Sequence, residues 1–246
     1  MKNLFSACGG YAMKKRLSVA PLSASAETDG EYTYSVLDDG TAMITAYTGY
    51  DSYIFIPSNI GGYSVSTIGS SVFLSSDIVI SVVVIPDTVT CIRGNAFRNC
   101  TNLTEAVIGS SLIKISECMF ADCPCLSKVT LSDPCALTEI DDFAFQGCSS
   151  LKKTEIPDSV ARIGESSFIG CSNLADIHVP SSLTEIGNAA FYETDWGAKF
   201  EDPDLKYVGK VVYHQDDYDF DGSNRKRRRR SDRGGRYALA EIPCRV

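Results

Sequence analysis

The sequence repeats itself about every 23 residues between Val82 and Phe191, and this period limits the fold more than any other feature. One unit has 25 residues because it contains the additional Asp133 and Pro134. A fixed period of this size is typical of a solenoid, in which each unit stacks only on its neighbours. Three residue types mark the units: Phe97, Phe120, Phe145, Phe168 and Phe191; Cys100, Cys123, Cys148 and Cys171; and Leu103, Leu126, Leu151 and Leu174.

The consensus of these units resembles a known repeat family. It reads I-P-x-S/T-V-x-x-I-G-x-x-A-F-x-x-C-x-x-L, and the stretch from Ile156 to Leu174 is a representative copy. This pattern is similar to the BspA-like (Treponema-type) leucine-rich repeats of bacterial surface proteins. An irregular first unit from Ile56 to Phe73 resembles the longer opening repeat of that family, and the resemblance covers roughly residues 28–213. It implies adhesion or protein recognition at a bacterial surface.

The spacing within a unit predicts how the chain is arranged. In the segment from Leu103 to Ile108, apolar and polar residues alternate, which predicts a short strand with one face inward. Stacked units then form one parallel sheet, and the residues around Ala96 and Phe97 are expected to form a short helical turn. The predicted fold is an α/β, β-rich, right-handed leucine-rich-repeat solenoid. Its parallel sheet covers one face, and short helical turns and loops cover the other.

Composition and pattern also divide the chain into segments. The alternation from Tyr32 to Ala46 around an Asp-Gly turn predicts a hairpin that covers the first coil of the solenoid. The predicted segments are a signal-like or disordered stretch (1–27), an N-terminal β-hairpin cap (28–55), a solenoid of about six repeats (56–196), an insertion or post-repeat hairpin (197–222) and a basic disordered tail (223–246).

Both ends of the chain leave alternatives open. The basic Met13–Arg16 stretch, with small residues at Ala24–Ala26, has the start and end of a secretory signal, although Pro21 interrupts its apolar middle. This signal is atypical, and the prediction of secretion or display at the cell surface rests mainly on the resemblance to bacterial surface proteins. Either Met1 or Met13 is the true start. The run Arg225–Arg230 is interpreted as a disordered tail or as the product of a shifted reading frame, with nucleic-acid binding as the alternative.

The ten cysteines suggest disulfides, but their spacing argues against that for the four in the repeat. Cysteines placed one per coil are stacked about 4.8 Å apart in parallel, which is the wrong geometry for a bridge. We expect them to be small buried hydrophobic residues. A zinc site could be assembled from Cys118, Cys123, Cys125 and Cys135, but Cys123 belongs to the repeat column and no histidine is near in sequence. No metal or cofactor is therefore predicted.

The acidic run after the repeats partly resembles a metal-binding motif. Asp217, Asp219, Asp221 and Gly222 match the opening of a calcium loop. The twelfth position, which supplies a bidentate carboxylate in such loops, is Arg228. An acidic solvated loop is the preferred interpretation.

Catalysis and nucleic-acid binding are not supported by the sequence. His178 and His214 are the two histidines, and neither is placed near a nucleophile or in a catalytic motif, so a non-enzyme is predicted. Nine Lys/Arg and two Asp/Glu give residues 225–246 a net charge of +7, which leaves −15 on residues 1–224 of a chain with −8 overall. An acidic solenoid is a poor ligand for nucleic acid. No apolar run is long enough for a transmembrane helix.

The outward strand positions are the candidate binding site. Inward positions must stay apolar, whereas outward positions are free to vary, and here they vary in charge and size. The partner predicted for them is a protein or a glycan. The alternative is a structural spacer, or a targeting module that is a fragment of a larger secreted protein. The predicted ligand-facing residues are Glu105, Val107, Lys128, Thr130, Lys153, Glu155, Asp176 and His178.

Overall fold

The computed structural model describes residues 26–74 and 79–199, and four short strands beyond residue 204. Its first six strands are β1 (Glu27–Asp29), β2 (Tyr32–Val36), β3 (Ala42–Tyr47), β4 (Tyr53–Phe55), β5 (Asn59–Ile60) and β6 (Tyr63–Ile68). All of these except β4 form one sheet in the order β1-β2-β3-β6-β5. The β2–β3 hairpin turns at Gly40, whose φ of 79° suits a residue without a side chain. Because β6 also pairs with Cys91–Ile92 of the next coil, this sheet is continuous with the solenoid.

Each repeat contributes two strands. They are β7 (Val82–Ile85), β8 (Cys91–Ile92), β9 (Glu105–Ile108), β10 (Lys114–Ile115), β11 (Lys128–Leu131), β12 (Glu139–Ile140), β13 (Lys153–Glu155), β14 (Arg162–Ile163), β15 (Asp176–His178) and β16 (Glu185–Ile186). Strands β4, β7, β9 and β11 form one parallel sheet, and β13 pairs in parallel with β15. A second parallel row joins β10, β12, β14 and β16. The chain is therefore a β-solenoid of about six turns with parallel sheets.

A continuous stack of phenylalanine rings fills the core. From Phe73 to Phe191, successive ring centroids lie 4.8–5.6 Å apart with interplanar angles of 4–16°. Tyr47 continues the stack before Phe73, and the indole of Trp196 closes it edge-on, 4.9 Å from Phe191. The repeat period thus places one buried aromatic ring in every coil, and each ring covers the next.

The cysteine column packs beside these rings. Cys100, Cys123, Cys148 and Cys171 are buried and free, as predicted. Each thiol donates a hydrogen bond to the carbonyl oxygen of the phenylalanine one coil before, over 3.0–3.4 Å. A hydrogen bond with Cys171 and burial together raise the pKa of Cys148 well above its ordinary value. These thiols are therefore packing groups of low reactivity. Cys91, which lies outside the column, is disulfide-bonded.

The prediction of helical turns opposite the sheet is wrong. Within the described residues, the one helical element is the 3₁₀ turn Gly197–Lys199. Two positions per coil have left-handed φ values of 52–72°, four residues apart, which a right-handed helix does not admit. They are Ser71, Asn95, Cys118, Phe143, Ser166 and Ala189, and Asn99, Asp122, Gly147, Gly170 and Glu193.

Hydrogen bonds between coils explain why these turns do not become helices. The N–H groups of Asn95, Phe97 and Asn99 donate to carbonyl oxygens of the following coil, over 2.8–3.0 Å. An α-helix would need the same donors for carbonyls four residues earlier in its own turn. Because the neighbouring coil takes them, the back of the solenoid is a stack of tight turns.

Two antiparallel hairpins follow the repeats. Strand β17 (Leu205–Val208) pairs with β18 (Val211–His214), and β19 (Tyr218–Asp221) pairs with β20 (Arg225–Arg228). The second hairpin crosses the boundary predicted at residue 222. Residues 1–25 and 229–246, which include the signal-like stretch and most of the predicted basic tail, lie outside the described residues.

Candidate functional site

The candidate site lies on the outward side of β4, β7, β9, β11, β13 and β15, which we call the exposed face. The strand register aligns its side chains in columns that run across the coils. One column is Tyr53, Val82, Glu105 and Lys128, and a second is Phe55, Val84, Val107 and Thr130. After β11 the columns resume with Lys153 beside Asp176 and with Glu155 beside His178. All eight predicted ligand-facing residues lie on this face.

The sheet behind this face is interrupted between β11 and β13. On either side of the interruption, a residue just before the strand donates its N–H to the preceding coil: Ser127 to Thr104, and Ala175 to Lys152. Among the hydrogen bonds of the described residues, the corresponding bond from the N–H of Lys152 to the carbonyl oxygen of Ser127 is absent. The 25-residue unit, with its additional Asp133 and Pro134, lies between these two strands. The longer unit therefore coincides with a break in the ladder.

This break opens a cleft of about 1110 Å³. One wall is the outer edge of β11 with the loop that follows it, and the other is β13 and β15 with the loop after β13. Six of the eight predicted residues line it, together with loop residues that include Cys135, Asp158 and Ser159; the six are Lys128, Thr130, Lys153, Glu155, Asp176 and His178. We call this space the cleft. Its size, at the upper end of the range of ligand pockets, leaves room for a loop or an oligosaccharide.

The inner side of the break is less well packed than the rest of the core. Along the inward column, Ile54, Val83 and Ala106 are almost fully buried, whereas Val129 and Thr154 are half-buried. Thr154 is a polar residue at a position where the neighbouring coils carry apolar ones. A hydroxyl at such a position weakens apolar packing. This threonine was a signal for the break that the reasoning from sequence did not use.

The cleft is strongly charged. Lys153 Nζ lies 2.9 Å from a carboxylate oxygen of Glu155 and 3.9 Å from one of Asp176. The hydrogen bond with Glu155 raises the pKa of Lys153 and lowers that of Glu155. His178 Nε2 lies 3.7 Å from a carboxylate oxygen of Asp158 on the same wall of the cleft, and it pairs with that carboxylate when protonated. Because these groups are exposed, a ligand can exchange its own charges for these pairs.

The first half of the exposed face has the opposite chemistry. Tyr53 and Phe55 are 63% and 69% exposed, and they continue into the aliphatic side chains of Val82, Val84 and Val107. We call these five residues the apolar half, and the residues of the cleft the charged half. The sequence reasoning included Val107 but missed the two aromatic residues. The sequence does indicate a strand at these two residues. The pair Ile56-Pro57 directly follows Phe55, and the same pair recurs as Ile85-Pro86 after 29 residues instead of 23.

No metal centre was found in the described part of the chain, where no three His, Cys, Asp or Glu side chains are grouped to hold an ion. The side chains of the acidic run Asp217–Asp221 lie outside the described residues. Across residues 26–74 and 79–199, no helix is long and apolar enough to cross a membrane.

A charge network on the second row has a structural role. The register aligns Lys114, Glu139, Arg162 and Glu185 in one column of alternating sign. Arg162 bonds Glu139 at 2.6 Å and Asp141 at 3.2 Å, and Lys114 bonds Asp141 at 2.8 Å. This network spans the coils on both sides of the break. It therefore helps to hold the solenoid together where the other sheet is interrupted.

The fold and the exposed face define a repeat protein of the leucine-rich type. The BspA type leucine-rich repeat region matches residues 63–196 in six copies. The chain therefore belongs to the BspA-type leucine-rich repeat family. Among curated proteins, none matches the chain.

Solved structures with a similar fold come from several bacteria. A leucine-rich repeat protein of T. pallidum is 28% identical over 68% of this chain and 66% of its own, with a TM-score of 0.48. One from Bacteroides ovatus is 23% identical over 68% and 57%, with a TM-score of 0.53. A leucine-rich cell surface protein of Faecalibacterium prausnitzii is 28% identical over 78% and 58%, with a TM-score of 0.37. This chain thus spans only 57–66% of the length of these proteins.

Proposed function

We propose that this chain is a non-enzymatic recognition protein that binds a protein or glycan ligand in the cleft, outside a bacterial cell. The observation that carries the proposal is the break in the sheet. It converts a flat row of outward residues into a cleft of about 1110 Å³ lined by charged side chains. The Phe stack beneath it continues unbroken, so the coils on both sides of the cleft remain stacked on one another.

The location rests on two supports. The similar protein of F. prausnitzii is a cell surface protein. Residues 13–26 have the composition of a secretory signal. We therefore place the chain on the cell surface or in the secreted fraction, where it contributes to recognition or adhesion.

The ligand of the cleft should carry both signs of charge or several hydroxyl groups. Lys153 is already paired with Glu155 and Asp176. A ligand with a single charge would break one pair and leave its partner unmatched. A polypeptide loop with neighbouring acidic and basic groups, or an oligosaccharide with donors and acceptors in alternation, replaces both partners at once.

A matched pair of charge reversals tests this proposal. Binders are first selected for the whole chain from a random-peptide display library and from a glycan array. Asp176→Lys, in the cleft, should weaken the selected binders by about tenfold or more, as loss of one well-placed interface group does. Asp38→Lys, equally exposed but on the N-terminal hairpin, should leave them unchanged. If every selected binder tolerates Asp176→Lys, binding lies outside the cleft and this proposal is wrong. The absence of any binder would favour a structural spacer.

A further inference from the structure

The sheet of the exposed face ends at β4, and this edge is open. Among the described strands, β4 pairs only with β7. Ser52 and Ile56 direct their backbone groups toward β7: Val82 N–H donates to Ser52 at 3.1 Å, and Ile56 N–H donates to Val84 at 3.0 Å. Since alternate residues of a strand point to opposite sides, Tyr53 and Phe55 direct their N–H and C=O groups away from the sheet. Neither residue has a backbone hydrogen bond in the described chain.

This edge lacks the usual protection. Proteins commonly guard a free strand edge with lysine, proline or a covering segment. Here Pro57 lies beyond the strand, and no lysine or arginine occurs between Arg16 and Arg93. The side chains of Tyr53 and Phe55 are 63% and 69% exposed, so no described segment covers them. An open edge beside two exposed aromatic rings is a ready template for an additional strand.

The charge around the edge indicates what kind of strand fits. Residues 26–74 contain six acidic residues and no lysine or arginine, and the last of the six lies two residues before Tyr53: Glu27, Asp29, Glu31, Asp38, Asp39 and Asp51. A second copy paired edge to edge would bring two such acidic regions together, which is unfavourable. The chain's own Arg225–Arg228 is already paired as β20 and has no apolar residue to place against Tyr53 and Phe55. Charge complementarity therefore favours a basic segment of another protein.

We propose that β4 binds an extended segment of a partner protein in which apolar residues alternate with Lys or Arg. The segment adds a strand about 4.8 Å from β4 and accepts and donates hydrogen bonds at Tyr53 and Phe55. Its apolar side chains extend the apolar half of the exposed face. Its basic side chains lie on the opposite side, toward the acidic N-terminal region. This site is separate from the cleft and does not depend on the function proposed for the cleft.

The first experiment tests strand addition with backbone-modified peptides. The probe is a blocked seven-residue peptide of alternating Lys and Val, titrated onto the whole chain by calorimetry. In an added strand, only one set of alternate N–H groups faces β4. N-methylation of that set should therefore abolish binding, while N-methylation of the other set should change it by less than about twofold. Equal effects of the two methylations would show adsorption without strand pairing and would overturn the proposal.

Matched variants place the site on the molecule. Phe55→Lys should weaken the peptide by about tenfold or more, as loss of an exposed aromatic anchor does. Ile113→Ser, an apolar residue 46% exposed outside the exposed face, is the control and should have no effect. An analogue alternating Glu and Val should not bind. Tight binding to Phe55→Lys, or equal binding of the Glu analogue, would contradict the proposal.

Other occupants give distinct results. If residues 229–246 cover the edge, their deletion should strengthen peptide binding; if a second copy covers it, dilution should do the same. If the aromatic rings bind a glycan, the wild-type chain should bind sugars on a glycan array and should not bind the peptide. Phe55→Lys should then abolish the glycan binding. Each of these results would overturn the proposal in favour of that occupant. Asp176→Lys should leave peptide binding unchanged, which separates this site from the cleft.

Discussion

The two halves of the exposed face are built from the same strand positions but differ in continuity and in chemistry. In the apolar half, β4, β7 and β9 are hydrogen-bonded in sequence, and most outward side chains are aromatic or aliphatic. In the charged half, the ladder is broken between β11 and β13, and the outward side chains are mainly Lys, Glu, Asp and His. Continuity therefore accompanies an apolar surface, and the break accompanies a charged one.

The core beneath the two halves is nearly the same. The ring spacing is 4.8 Å between Phe73 and Phe97 in the first half and 5.1 Å between Phe145 and Phe168 in the second. The second strand row also continues from β10 to β16 across the break. The stack and the second row thus hold the coils together, which leaves the exposed face free to change its pairing and its side chains. The following predictions test this separation.

The largest effect is expected for the ring stack. Phe97 is fully buried under a continuous sheet, so Phe97→Ala should destabilise the protein by about 3–5 kcal/mol. Phe145 borders a small cavity at the break and is slightly more exposed, so its surroundings can relax more easily. Phe145→Ala should therefore cost less, about 2–4 kcal/mol. Urea unfolding of both variants measures the difference, and a larger loss at Phe145 would contradict a looser core beneath the break.

A smaller gain is expected when the break is made more apolar. Thr154→Val removes a hydroxyl from the inward column and should stabilise the protein by about 1 kcal/mol. Thr130→Val, on the outward side of β11, is the control and should change stability by less than about 0.5 kcal/mol. Equal changes in urea midpoint would show that Thr154 is already as well solvated as an outward residue. The hydroxyl of Thr154 would then not be a cause of the break in the sheet.

The sequence was sufficient for the period, the inward positions and the cysteine packing, because each depends on a side chain that must be buried in every coil. It was not sufficient for the turns. The left-handed residues there are as different as Phe143, Ser166 and Gly170, so residue type did not mark them. Strand pairing across the longer unit depends on how that unit closes in space, and the sequence shows only its length. The free edge of β4 was missed because its 29-residue spacing falls outside the period.

The smallest effects concern two lysines with similar ion pairs. Lys114, on the second row, lies 2.8 Å from Asp141, and Lys153, in the cleft, lies 2.9 Å from Glu155. Burial alone would raise the pKa of Asp141, but the hydrogen bonds from Lys114, the backbone N–H of Asp142 and Arg162 together outweigh it and lower the pKa below its ordinary value. Lys114→Met should therefore destabilise the protein by about 0.5–1 kcal/mol at neutral pH, after allowance for partial exposure.

The pH dependence has a defined sign. A carboxyl whose pKa is lowered by folding contributes stability that is present above its unfolded value and is lost as the pH falls through its folded value. The difference between wild type and Lys114→Met should thus shrink as the pH falls below the ordinary pKa of an aspartate. Lys153→Met is the matched control. Its ion pair is fully exposed, and we expect no change in the urea midpoint at neutral or at acidic pH. A clear loss of stability in Lys153→Met would mean that the charges of the cleft hold the coils together. The charged half would then be required for the stability of the solenoid, and its side chains could not vary independently for ligand binding.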